Sequence, residues 1–227
     1  MNNANETNKN TAQFFMLGIQ ADGTMGAFNS GNYDETLQCA SEVCRRGYLE
    51  LGINILKKLA VLRPDDPAPA KELVFALILN HESEDALPYI NVLTRLWPDL
   101  AITAALQGKA SKTLGNTLEA SQCLEKSLSA KFTDIDSFRA VVGLAMLLGQ
   151  HIPEAEALVH EIQKIAPDDP FAWLALGNIY RLQGKTSKAE GALKQAILIA
   201  PHSKQGQIAS NLLMEMKARQ GSDFSRN

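Results

Sequence analysis

The sequence predicts an all-α protein, an α-solenoid of about five stacked helix pairs closed by one further helix near its C-terminal end. Three observations predict it. Proline-containing stops recur at an interval close to 34 residues. Small residues recur at fixed places between those stops. Ala and Leu are plentiful while aromatics make up only 6% of the 227 residues, a balance that favours helix over sheet.

The stops are Arg63-Pro64-Asp65-Asp66-Pro67, Trp97-Pro98-Asp99, Ala166-Pro167-Asp168-Asp169-Pro170 and Ala200-Pro201-His202. Pro64 and Pro98 lie 34 residues apart, as do Pro167 and Pro201; Pro98 and Pro167 are separated by 69, two periods plus one residue. Proline ends a helix by removing an amide donor and clashing with the preceding turn. The aspartate that often follows is suited to cap the next helix. Regular stops at this spacing mean that one structural unit is reused.

Along the chain, residues 1–13 are polar and Asn-rich and read as a disordered tip. Residues 14–32 read as a helical segment, with Phe14 to Ala21 apolar enough to pack on the array, followed by a Gly-rich turn at Gly23 and Gly26. Whether this segment caps the array or binds a partner stays open. The array covers 33–203 in units of 33–66, 67–100, 101–135, 136–169 and 170–203. The first contains Ala40, Gly47, Gly52 and Pro64, and the second Ala86 and Pro98. The third has Gly108, Gly115 and Ala120, with Phe132 where a proline is expected, and the fourth has Gly143, Ala155 and Pro167. Residues 204–220 read as a capping helix with Ile208, Leu212, Leu213 and Met216 on one stripe, and 221–227 as a disordered tail.

The small residues have a physical task. Gly177, Gly143, Gly108 and Ala40 fall midway along the first helix of a pair, and Ala189, Ala155, Ala120, Ala86 and Gly52 early in the second. Glycine within a helix costs roughly 1 kcal/mol against alanine. Its recurrence at one offset points to a packing gain that outweighs this cost. Each pair, amphipathic by itself, must stack on neighbours to bury its apolar face.

The last unit is the clearest: Trp173-x-x-Leu176-Gly177-x-x-Tyr180, then Gly184, Ala189, Leu193, Ala196 and Pro201. It resembles the tetratricopeptide repeat family, departing only at Leu193, where the family pattern has Phe. The resemblance covers roughly Tyr33 to Ser203. It implies a right-handed superhelix whose concave face is lined by places 2, 5, 9, 12 and 13 of each first helix. Those places hold Leu37, Ser41 and Arg45; Lys71, Phe75, Ile78 and Leu79; Ala105, Lys109 and Lys112; Ala140, Leu144, Leu147 and Leu148; and Phe171, Leu174, Asn178, Arg181 and Leu182. An apolar lining dotted with Arg45, Lys71, Lys109, Lys112 and Arg181 suits an extended or helical peptide with apolar anchors and some acidic residues. Leu144, Leu147 and Leu148 could equally be core if the superhelix curls tightly or the N-terminal segment folds into it. Some family members grip the acidic tail of heat-shock chaperones with a Lys/Asn/Arg clamp, but no three successive units here supply that set.

No chemistry-bearing constellation emerges. Gly184-Lys185-Thr186 resembles the end of a phosphate loop, yet Ile179 stands where a glycine is needed and the segment joins two helices. His81-Glu82 and His160-Glu161 begin like a zincin motif, but Asp85 and Lys164 occupy the place of the second histidine, and no Cys-x-x-Cys pair exists. His81, His151, His160 and His202 sit near turns and helix flanks, and most of them read as surface side chains. Cys39, Cys44 and Cys123 are an odd, sparse set that reads as buried thiols rather than a disulfide framework. A formal net charge of -3, from 22 basic and 25 acidic side chains, gives no reason to expect nucleic acid or an anionic membrane as the main partner. No apolar run approaches the ~20 residues of a membrane span.

The expectation is a non-enzymatic, cytoplasmic protein-binding module, an adaptor or chaperone that holds a partner peptide or helix, with no cofactor or metal. The alternatives are an assembly scaffold working by self-association or its convex face, and a bacterial secretion-system chaperone, since some family members with apolar grooves hold translocator segments before export.

Overall fold

The computed structural model describes residues 33–224, and their side chains as far as 218. The tip at 1–13, the segment at 14–32 and the last residues, 225–227, lie outside the described residues. Among the described residues the chain is all-helical: α1 (Tyr33–Arg45), α2 (Leu49–Leu62), α3 (Pro67–Leu79), α4 (Ser83–Leu96), α5 (Ala101–Thr113), α6 (Thr117–Ser129), α7 (Ile135–Leu148), α8 (Ile152–Ile165), α9 (Pro170–Leu182), α10 (Thr186–Ile199) and α11 (Lys204–Phe224). α11 continues to Phe224, so 221–224, expected as the start of a disordered tail, belong to the helix.

The proline stops act as the sequence implied. Pro67 and Pro170 open α3 and α9, where the missing amide hydrogen costs nothing. Asp66 Oδ1 accepts the Ala68 amide at 3.0 Å, and Asp169 Oδ1 accepts that of Phe171 at 2.9 Å. Asp134 caps α7 in the same way, 2.8 Å from the Ser137 amide. The third unit lacks a closing proline, and backbone bonds replace it. Lys131 donates to the Asp99 carbonyl at 3.0 Å, Ala101 donates to that of Lys131 at 2.9 Å, and Phe132 stacks on Phe138 with ring centroids 4.7 Å apart.

Within each pair the turn needs a left-handed residue. Gly47, Gly115, Gly149 and Gly184 supply it, with φ between +67° and +96°; in the α3–α4 turn His81 takes the same conformation at φ +64°.

Two compact units divide the described chain. The first contains residues 33–98 and 110–116, the second 99–109 and 117–224. In the first, Leu56, Leu59, Leu73, Leu77 and Leu93 are fully buried between α1 and α4. In the second, Ala189, Leu193 and Ala196 of α10 pack with Leu174 of α9 and with Ala209 and Met216 of α11. The apolar stripe of α11 therefore runs through Ala209 rather than Ile208, which is exposed.

The small residues mark close helix contacts, though not all of one kind. A Cβ on residue 177 would lie 2.6 Å from both Cγ and Cδ2 of Leu193. Leu193 occupies the space of the larger ring that the repeat pattern places there. A Cβ on residue 108 would lie 2.9 Å from Cys123 Cβ and 2.5 Å from Leu144 Cδ2. Gly143 differs: the atoms above it belong to Lys109 of the preceding first helix, not to its own partner α8.

Candidate functional site

In the second unit, α7 and α9 are consecutive first helices in contact, and the turn between the fourth and fifth pairs fixes their register. Arg139 of α7 donates from Nε (3.0 Å) and Nη2 (2.7 Å) to Oδ2 of Asp169, while Nη1 donates to Asp136 Oδ1 at 3.1 Å. The Asp169 side chain is almost wholly buried and its other oxygen caps α9, so one carboxylate joins the two helices.

At the C-terminal ends of these helices the same register presents apolar side chains outward. Leu147 is 48% exposed and Leu182 is 49% exposed, while Leu148 is partly buried. Beside Leu182, Arg181 donates from Nε (3.1 Å) and Nη2 (2.7 Å) to Asn178 Oδ1. The amide holds the guanidinium in place without cancelling its charge, and Arg181 forms no ion pair among the described residues. Phe171, one place into α9, is partly buried.

Lys109 lies on α5 with its ammonium directly over Gly143: a Cβ there would be 2.9 Å from Nζ and 3.2 Å from Cε. Burial of the ammonium pushes its pKa down to about 8. Leu144, expected in the lining, is fully buried and packs over Gly108, so it belongs to the core. Ala105, Ala140 and Leu174 are likewise buried.

In the first unit the expected residues scatter. Leu37, Phe75 and Lys112 are partly buried, and Leu79 is half exposed. Lys71 is partly buried with Nζ 3.3 Å from Glu72, and Arg45 is exposed, 3.8 Å from Glu42. Both cations thus stand beside carboxylates on their own helix. Ser41 is buried. The structural residues of the last unit close around one another. Trp173 Nε1 donates to the Pro167 carbonyl at 3.1 Å, and the Tyr180 ring has the ammonium groups of Lys185 and Lys188 within 5.8 Å of its centroid. Gly177, Ala189 and Ala196 are buried, as is Leu176, and Ala155 is buried in α8.

Cys123 is buried, but Cys39 and Cys44 are only partly so, against the expectation that all three thiols are core. Burial raises the pKa of each, that of Cys44 to about 11. Among the described residues no group of His, Cys, Asp and Glu could hold a metal ion, and no helix is long and apolar enough to cross a membrane.

The sequence model of the tetratricopeptide repeat matches residues 170–203, the last helix pair with its closing turn. Residues 170–203 are a tetratricopeptide repeat. A comparison with curated proteins gives no match. Among solved structures, the human IFIT1 dimer with m7Gppp-AAAA is similar with a TM-score of 0.65 at 14% identity, over 94% of this chain and 51% of that one. The APC/C hetero-tetramer Cut9–Hcn1 gives 0.64 at 14%, over 96% and 41%. A thermophilic tetratricopeptide-repeat protein of Thermus thermophilus gives 0.61 at 16%, over 84% and 97%. The chain spans about half the length of the human protein. At these identities the likeness shows the fold, that of tetratricopeptide-repeat proteins.

Proposed function

We propose that the chain is a protein-binding module that seats a partner segment against the outward ends of α7 and α9 in its second unit. One observation carries this reading: Arg181, held by a neutral amide, projects a positive charge that no acidic side chain of the described chain answers, beside the exposed Leu182 and in register with the exposed Leu147. Two leucines and an oriented guanidinium fit a short helix or extended segment with apolar anchors and a carboxylate. Lys109, held over Gly143, adds a second cation to the same unit. The tetratricopeptide repeat at 170–203 supports the reading, because arrays of this kind bury one face and present another to partners. In this proposal the module works as an adaptor or chaperone, without catalysis or cofactor.

The test replaces Leu147 and Leu182 together by Glu. Both are about half exposed, so the helices should stay folded by circular dichroism while partner recovery from a native extract falls at least ~10-fold. Unchanged recovery with unchanged helicity would remove α7 and α9 from the binding surface. Lys109→Glu is a poor probe, because a carboxylate put in that desolvated place would itself destabilise the fold.

A second reading, assembly through second helices, rests on Val61 and Leu198, 81% and 74% exposed and each three residues before a closing proline. Sedimentation of Leu198→Glu tests it: an oligomer that dissociates supports assembly through that surface, and a native chain that is monomeric at all concentrations opposes it.

A further inference from the structure

His151 lies between α7 and α8 with φ +53°, a left-handed conformation uncommon outside glycine. Its carbonyl accepts the Ala155 amide at 2.9 Å, which anchors the first turn of α8. Its imidazole is flanked on both nitrogens by carboxylates. Nε2 is 2.8 Å from Oε1 of Glu125 on α6, and Nδ1 is 3.3 Å from Oε1 of Glu154 on α8. All three residues belong to the second unit.

A neutral imidazole has one N–H and can donate to only one of the two carboxylates; the other nitrogen then turns a lone pair toward an anion. Only the imidazolium satisfies both contacts. We infer that His151 is a proton-operated latch joining α6 to α8, closed when the ring carries both protons and released at one carboxylate when it carries one.

The charges around the ring favour this. Glu125 and Glu154 both raise its pKa, their hydrogen bonds to the ring acting first. The remaining charged groups of these helices are engaged elsewhere or lie apart. Asp136 and Arg139 sit at the far end of α7 and pair with each other, Glu119 accepts Gln107, Glu156 accepts Gln183, and Glu161 pairs with Lys164. Lys126 is exposed beside Glu125. Because the folded pKa lies above the unfolded value, the latch contributes its full stabilisation below the unfolded pKa. That contribution is lost as pH rises through the folded one.

The test is a proton-NMR titration of the imidazole in the full chain, with Glu125→Gln and Glu154→Gln as variants. The native ring should titrate at higher pH than in the urea-unfolded chain, and each variant should lower its midpoint. In parallel, the native melting temperature should fall between about pH 6 and about pH 9 by more than that of His151→Asn, which removes the imidazole but tolerates the left-handed backbone. A native midpoint equal to that of the unfolded chain, or one unmoved by Glu125→Gln, would overturn the latch. Parallel melting curves for the native chain and His151→Asn would do the same. Should His151→Asn fail to fold, the exposed Glu125→Gln still decides the question.

Discussion

The first helix pair and the last solve one packing problem with the residues exchanged. In α9–α10 the glycine sits on the first helix, Gly177, and the alanine on the second, Ala189. In α1–α2 the same two places hold Ala40 and Gly52, alanine first and glycine second. What presses on each glycine differs. Gly177 lies under the branched end of Leu193, whereas a Cβ on residue 52 would collide with Cys44 Sγ and lie 3.1 Å from the Ala40 carbonyl oxygen. In each of these two pairs one of the two facing places is stripped of its side chain, whereas the α3–α4 pair keeps both, Val74 and Ala86. Which helix yields depends on the neighbour that fills the gap, a leucine from the second helix or a cysteine from the first.

The largest effect that would break this comparison is at Gly177. Gly177→Val should cost about 3 kcal/mol by urea denaturation, because Leu193 has no room to retreat in a buried core. A cost below about 1 kcal/mol would mean that the contact is looser than described. The two pairs are also anchored differently. Tyr33 opens the first with the Arg63 guanidinium 3.8 Å above its ring, while Asp169 opens the last and is gripped from behind by Arg139. Asp169→Ala should cost about 2 kcal/mol, since it removes a cap and an ion-pair partner together, and the loss should change little with salt because the carboxylate is buried.

A sharper contrast comes from Gly52. Gly52→Ala should cost about 1–2 kcal/mol in the native chain and distinctly less in a Cys44→Ala background, since the colliding sulfur is then absent. A cost independent of Cys44 would reassign the constraint to the backbone. The smallest effect is a gain. Gly191, in the interior of α10 with open space where its Cβ would be, should accept alanine with a stabilisation of about 1 kcal/mol in the same assay.

Much of this was legible in the sequence because it repeats. Prolines, capping aspartates and small residues act locally, so they recur with the period and place the helix pairs. Contacts between successive units carry no such mark. Arg139 and Asp169 are 30 residues apart; Asp66 fills the place of Asp169 in the first repeat, but the place of Arg139 holds Thr36 there and no arginine in any other repeat. Lys109 over Gly143 could have been noticed as a lysine at place 9 followed by a glycine at place 8 of the next unit, but the glycine had a simpler reading within its own pair. Leu144 misled for a related reason: the register makes it a lining residue, and the absence of a side chain at Gly108 draws it into the core. His151 was invisible because its two carboxylates come from different helices, one of them 26 residues away.

The functional account stands on the outward ends of α7 and α9. Its most direct test places a photo-crosslinking amino acid at Leu182 and, as a control, at the more exposed Leu198 of α10. Partner crosslinks at 182 that are absent at 198 are the predicted result. Crosslinks at 198 alone, with a folded and silent 182, would contradict it.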